Sequence, residues 1–298
     1  MHLNGRFSSE RELREKLDFI YEKSKSGSSF YGILEVASNE VTIITAIHAI
    51  KSNSGANTAG VDRRKMDRYL QMDRNKLISL VQSAFQNYQP KPARRVYIQK
   101  SNGKQRPLGI PTVLDRIVQE CLRIVLEPLV EAKFFPNSYG FRPYRSVHDA
   151  VHMVFHYANL RANRKSWFVI EGDIKGFFDH INHRILLKKL WHIGVRDKRV
   201  LAMIKAMLKA GYMEQNTFFK SAEGTPQGGI LSPLLANVYL TAFDWTVGRM
   251  YQHPRQQTAY ITYHYTSRAT AEELRRSTTA IAYQWSTCAT RSARMETT

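Results

Sequence analysis

At 298 residues, 43% of them hydrophobic and 11% aromatic, the chain has ample material for a packed core and is not globally disordered. Its 44 Lys and Arg outnumber 25 Asp and Glu, and the net charge of +19 implies a polyanionic partner, because each cation set against a phosphate releases condensed counterions. No apolar run approaches the ~20 residues of a membrane span, the start lacks an apolar signal segment, and Cys121 and Cys288 are too few for a disulfide framework or a zinc knuckle. A cytoplasmic protein with no membrane association is expected.

In chain order, residues 8–23 carry a helix signature, with Ser8 or Ser9 as cap and Leu13, Leu17 and Ile20 on one face. SKSGSSFYG (24–32) is a break, VTIITAIHAI (41–50) has helical spacing, and a charged stretch over 62–87 reads as one further helix. RRVYIQ, SNGK and QRPLGIP, within 94–111, read as strand, turn and return strand. The spacing predicts a helix over 113–132 that Pro128 kinks or ends, then a loop, FFPNSYGFRPYRS, and a helix from Val147 to Leu160. SWFVIEGDIKGFFDHI (166–181) reads as a buried strand entering a turn. INHRILLKKLWHIG (181–194) is helical, and after the turn GTPQGG (224–229) a buried helix is expected over 230–251. From Gln252 the composition shifts: residues 253–298 hold ten threonines and no lysine, against eight and eighteen in the preceding 252. That shift predicts a frameshifted or poorly structured tail.

One segment suggests chemistry. Asp173 sits at the end of an apolar run, where a carboxylate can be held at a cleft and offered to a hard cation such as Mg²⁺. Taken alone, such an aspartate is more often a helix cap or an ion-pair partner. Glu171 reads as a structural ion pair and Asp179 as the cap of the helix that follows. His180 and His183, three apart without nearby acids or cysteines, do not read as a zinc site.

Four blocks shift the balance. QRPLGIPTVLDRIVQE (105–120), FFPNSYGFRPYRSVHDAV (134–151), EGDIKGFFDHI (171–181) and GTPQGGILSPLLANVYL (224–240) occur in order and at sensible spacing. Over about residues 8–252 the chain resembles the group II intron reverse transcriptase/maturase family. The resemblance implies an α+β fold: the fingers and partial palm of a right-hand polymerase behind a helical amino-terminal extension. The expected division is 1–90 for the RNA-binding extension, 91–165 for the fingers, 166–252 for the partial palm and 253–298 for the atypical tail. It further implies RNA-templated DNA synthesis by two-metal nucleotidyl transfer, with Mg²⁺, deoxynucleoside triphosphates, a DNA primer, and RNA as intron and template. Asp173 would be the first metal-binding carboxylate, joined by the backbone carbonyl of Ile174. Phe178 would lie beneath the sugar of the incoming nucleotide, Lys100 and Arg106 would hold its triphosphate, and Gln227 with Gly228 would contact it from the fourth block. Lys104 reads as a solvated turn charge. Arg142 and Arg145, among Tyr139, Phe141 and Tyr144, would grip the template or pack under the fingers. Arg63 and Arg64 would serve RNA binding in the extension.

The sequence also departs from the family. The fifth block, a Tyr-Ala-Asp-Asp turn carrying two further metal carboxylates, does not occur, and Asp244 is the single aspartate after Gly229. Weak or no polymerisation by this chain alone is therefore expected. The alternative is a non-catalytic, RNA-binding maturase-like remnant that assists intron RNA folding.

Overall fold

The computed structural model describes residues 1–99, 103, 105–160, 171–226 and 228–252. The expectations for Lys100, Lys104, Gln227 and the tail lie outside these residues, as do residues 166–170 of the segment 166–181 expected to be a buried strand entering a turn.

Ser9 starts the first helix, α1 (Glu10–Lys25): its hydroxyl accepts from the amide of Glu12, while the Glu12 carboxylate accepts from the amide of Ser8 at 2.6 Å. These two bonds satisfy donors that the first turn leaves without partners. α2 (Ile33–Ala37) follows, and Asn39 caps α3 (Glu40–Lys51). The charged stretch expected as one helix is two, α4 (Met66–Leu70) and α5 (Arg74–Gln86). The break lies at Asp73, whose carboxylate accepts from the amides of Asn75 and Lys76 and so restarts the helix rather than continuing it.

β1 (Ala93–Gln99) and β2 (Gln105–Ile110) form the expected antiparallel hairpin, with Ile98 opposite Arg106. α6 (Val113–Glu131) then runs through the core, packed against α1, α2, α3 and α5. Ile117, Leu122, Leu126 and Leu129 of α6 are fully buried, together with Ile20, Ile33, Ile43 and Ile50 from the amino-terminal helices. Pro128 does not end α6. The proline removes one amide donor, but the buried Leu129 and Val130 and a 2.6 Å bond from Ser24 Oγ to the Leu129 carbonyl hold the last turn in place.

α7 (Val147–Leu160) matches its expected bounds. Residues 171–174 are exposed and irregular, a difference from the buried strand expected there. They lead into a 3-10 turn at Phe177–His180, then α8 (His183–Ile193) and α9 (Lys198–Lys209). Asn182, not Asp179, caps α8, accepting from the amide of Ile185 at 3.1 Å. Two short strands went unforeseen: β3 (Tyr212–Glu214) and β4 (Thr217–Phe219), joined through Gln215 and Asn216, both at positive φ as a tight two-residue hairpin turn requires. β3 lies parallel to β1, so the sheet order is β2-β1-β3-β4. Tyr97 of β1 reinforces this join by donating to Glu214 at 2.6 Å.

α10 (Ser232–Gln252) completes the described chain. The chain divides into two units, Met1–Ala242 and Phe243–Thr298; in the described part of the second, the Arg249 guanidinium stands 5.9 Å from the Trp245 ring. The architecture is α+β, with a helical amino-terminal part. Among the described residues no helix is long and apolar enough to cross a membrane.

Candidate nucleotide and nucleic-acid site

Three of the four sequence blocks meet at one place. The amide of Thr225 donates to the carbonyl of Phe178 at 2.7 Å, and the amide of Gly224 donates to the carbonyl of Ile181 at 2.8 Å. The loop of the fourth block is thus stitched to the turn of the third. From below, His183 places Nε2 2.7 Å from the carbonyl of Gly224, so this buried histidine braces the loop.

The same loop then presses on β2. Gly228 has φ +109, and a Cβ there would lie 2.6 Å from the carbonyl oxygen of Gly109. Only glycine meets both demands, the left-handed backbone and the close approach. Gln119 of α6 anchors the far end, its side-chain oxygen accepting from the amide of Ile230 at 3.0 Å, and Ser232 Oγ donates to the carbonyl of Pro226 at 2.8 Å.

A cavity of about 300 Å³ opens beside this junction, lined among others by Arg95, Gly109, Asp179, Tyr212, Lys220 and Thr225. The Arg95 guanidinium lies 3.5 Å from the centre of the Tyr212 ring, a cation–π contact that fixes a positive charge on the wall. Arg106 is exposed on β2, three residues before Gly109. Phe178 is half-buried, its ring edge-to-face with Phe177 at 5.7 Å.

Asp173 and Ile174 precede this turn and are exposed; Asp173 makes no hydrogen bond or ion pair with another described residue. Phe178 and Gly228 thus belong to the junction, Arg106 stands on the strand that Gly228 presses on, and Asp173 and Ile174 lie on the segment that precedes the Phe177–His180 turn. The arginines assigned to template and RNA lie elsewhere. Arg142 is buried, and its guanidinium bonds both oxygens of Glu131 and the carbonyls of Phe135 and Ser138. It packs the loop against the end of α6, the second of its two sequence readings. Arg145 is half-buried, bonds the Pro136 carbonyl and sits 5.5 Å from the Tyr139 ring. Arg63, at φ +57, and Arg64 are exposed in the loop before α4.

Sequence reasoning missed Gln119, His183 and Arg95. Gln119 is one of several polar residues on α6, with Asp115, Arg116 and Glu120, so nothing in the sequence marked it out, and His183 offered no signal beyond its place at a helix start.

A reverse transcriptase (RNA-dependent DNA polymerase) family model matches residues 98–264, more than half of the chain. The chain belongs to this family. Its similarity extends to the group II intron-encoded protein LtrA of Lactococcus lactis subsp. cremoris, 43% identical over 200 residues, covering 67% of this reverse transcriptase chain and 32% of LtrA. It is also 43% identical over 201 residues to protein YkfC of Escherichia coli (strain K12), covering 65% of this chain and 51% of YkfC. Nuclear intron maturase 1 of Arabidopsis thaliana is 35% identical over 101 residues, 33% of this chain and 13% of the maturase. The chain thus spans about half the length, or less, of the curated relatives it matches.

Reverse transcriptases generally use divalent metal ions. Asp173 and the Ile174 carbonyl are oxygen donors of the type Mg²⁺ prefers. Among the described residues, however, no three His, Cys, Asp or Glu side chains converge to hold a metal, so the donors present do not fit a complete two-metal site.

Proposed function

We propose that the chain is the fingers and partial palm of a group II intron reverse transcriptase/maturase, that it binds RNA and faces a nucleotide, and that its 298 residues alone extend a primer weakly or not at all. The observation that carries this reading is the junction of blocks: the third and fourth are bonded to one another and pressed on the hairpin that bears Arg106.

On that reading Arg106, with Lys100, holds the triphosphate, since a planar guanidinium and a flexible ammonium match phosphate oxygens. Phe178 lies beneath the sugar and excludes a 2′-hydroxyl by size. Gln227 and Gly228 contact the nucleotide from the loop, and Asp173 with the Ile174 carbonyl offers oxygens to Mg²⁺. Arg145, Arg63 and Arg64 contact template or intron RNA, and a DNA primer completes the substrates. Arg142 supports the loop instead of touching nucleic acid. A cytoplasmic location accords with the two cysteines of the chain.

A specific observation favours a second reading. Asp244 is the single aspartate between Gly229 and Thr298, so these residues hold no adjacent aspartate pair that would complete the metal site. A maturase-like role, binding intron RNA without making DNA, needs no such pair.

Primer extension on an RNA template with Mg²⁺ tests both. The expected result is salt-sensitive RNA binding with little extension. Robust extension that Asp173→Ala abolishes would overturn the incomplete-site argument, and loss of RNA binding would overturn both readings.

A further inference from the structure

The net charge of +19 is not spread evenly over the surface. The groove between α1, α6 and the 134–146 loop is lined by five carboxylates, Glu10, Asp18, Glu127, Glu131 and Asp149, against two cations, Arg14 and Arg145. A groove of about 590 Å³ along α8 and α9 has the opposite character: Arg184, Lys188, His192, Lys205 and Lys209 line it, Trp191 forms part of its wall, and among the described residues no carboxylate lines it.

Arg184, Lys188, Lys205 and Lys209 are exposed, and none is in an ion pair or side-chain hydrogen bond with another described residue. Their spacing is also unfavourable to the helices themselves. Arg184 and Lys188 on α8, and Lys205 and Lys209 on α9, are like charges four residues apart, which repel along a helix face. Amphipathic helices satisfied by solvent alone tend to mix signs on the outer face; this pair concentrates one sign where the two helices face a common groove.

We propose that the α8–α9 groove is a second RNA-binding surface, whose lysines and arginine hold the phosphate backbone of a structured RNA. The proposal rests on the reading of the chain as an RNA-binding reverse transcriptase, and adds a site to it. Recognition there is by charge and backbone, so it is insensitive to RNA sequence. Ala222 lines both this groove and the 300 Å³ cavity beside the β1–β3 join, so an RNA held on the helices passes next to the block junction.

The test uses the full 298-residue chain, a 20-base-pair RNA duplex and fluorescence anisotropy over a salt series. The triple substitution Lys188→Ala, Lys205→Ala, Lys209→Ala changes exposed helix positions to a good helix former, and its melting curve reports whether it folds. Its affinity is expected to fall roughly tenfold or more at low salt, and the slope of log affinity against log salt to drop by about three units, near one per lost phosphate contact. The matching triple Lys→Arg variant, which keeps the charge, is expected to bind as the unaltered chain does. An unchanged slope in the Ala variant, while the unaltered chain binds RNA steeply, overturns the groove and leaves the RNA-binding reading standing. No RNA binding by the unaltered chain overturns both. A variant that keeps its RNA slope yet loses affinity for polyglutamate reassigns the groove to an acidic protein and overturns the proposal.

Discussion

The amide of Thr225 donates to the carbonyl of Phe178 at 2.7 Å, across 47 positions of sequence, and this bond joins the two blocks that flank the candidate nucleotide site. Because both partners are backbone groups, the join is insensitive to side-chain substitution at either position. What fixes its place is the path of the loop, and that path depends on Gly228.

Gly228→Ala is accordingly expected to disturb the junction. The new methyl group would meet the Gly109 carbonyl at 2.6 Å, and φ +109 is a backbone conformation that alanine adopts only under strain. A destabilisation of about 1–3 kcal/mol is expected, measured by urea unfolding. Unaltered stability would mean that the loop does not rest on β2.

Arg142 and Arg145 separate packing from recognition. Arg142→Ala leaves Glu131 and the carbonyls of Phe135 and Ser138 without their buried partner, and is expected to cost about 3–5 kcal/mol. Arg145→Ala, at a half-buried position whose guanidinium bonds a single loop carbonyl, is expected to lower the unfolding midpoint far less than Arg142→Ala and to weaken RNA binding. The reverse pattern would exchange the two roles.

The join between α2 and α9 gives stability a dependence on acid. Burial raises the Asp197 carboxyl, but hydrogen bonds from Arg199 and from the amide of Leu34 outweigh it, and the group is held below the ordinary carboxylate value. Arg199 likewise lowers Glu35. A depressed carboxylate stabilises the fold in full above its unfolded value, about 3.9 for aspartate, and loses that contribution as pH falls through the lower, folded value. The gap in stability between the unaltered chain and Asp197→Asn should therefore be widest above about pH 4 and narrow towards acid. A gap that stays constant down to pH 2 would remove Asp197 from the account.

Much of the fold was legible in the sequence because local signals sufficed. Ser9, Asn39 and Thr112 cap their helices through side-chain oxygens, and the spacing of apolar residues on α1, α3 and α6 marks their buried faces. Asp73 lies inside the charged stretch over 62–87, where its carboxylate, two and three residues before the amides it accepts from, is a restart signal that periodicity alone does not show. β3 and β4, each of three residues, are too short to show alternation; β3 forms through pairing with β1, 119 positions away at Ala93 and Tyr212, and β4 through pairing with β3. The site was legible as a set of blocks, since their residue types follow the family, but not as a geometry. That Arg142 turns inward to Glu131, and that His183 braces Gly224, depend on partners 11 and 41 residues distant.

The claim that the third and fourth blocks and the β1–β2 hairpin enclose a nucleotide is tested most directly by photocrosslinking. An azido-deoxynucleoside triphosphate is bound to the chain with an RNA template and DNA primer, irradiated, and the adducts are mapped by mass spectrometry. Adducts within 105–110 and 224–232, suppressed by excess unlabelled triphosphate, are the expected result. Adducts confined to other segments, or labelling that excess triphosphate fails to suppress, would contradict it.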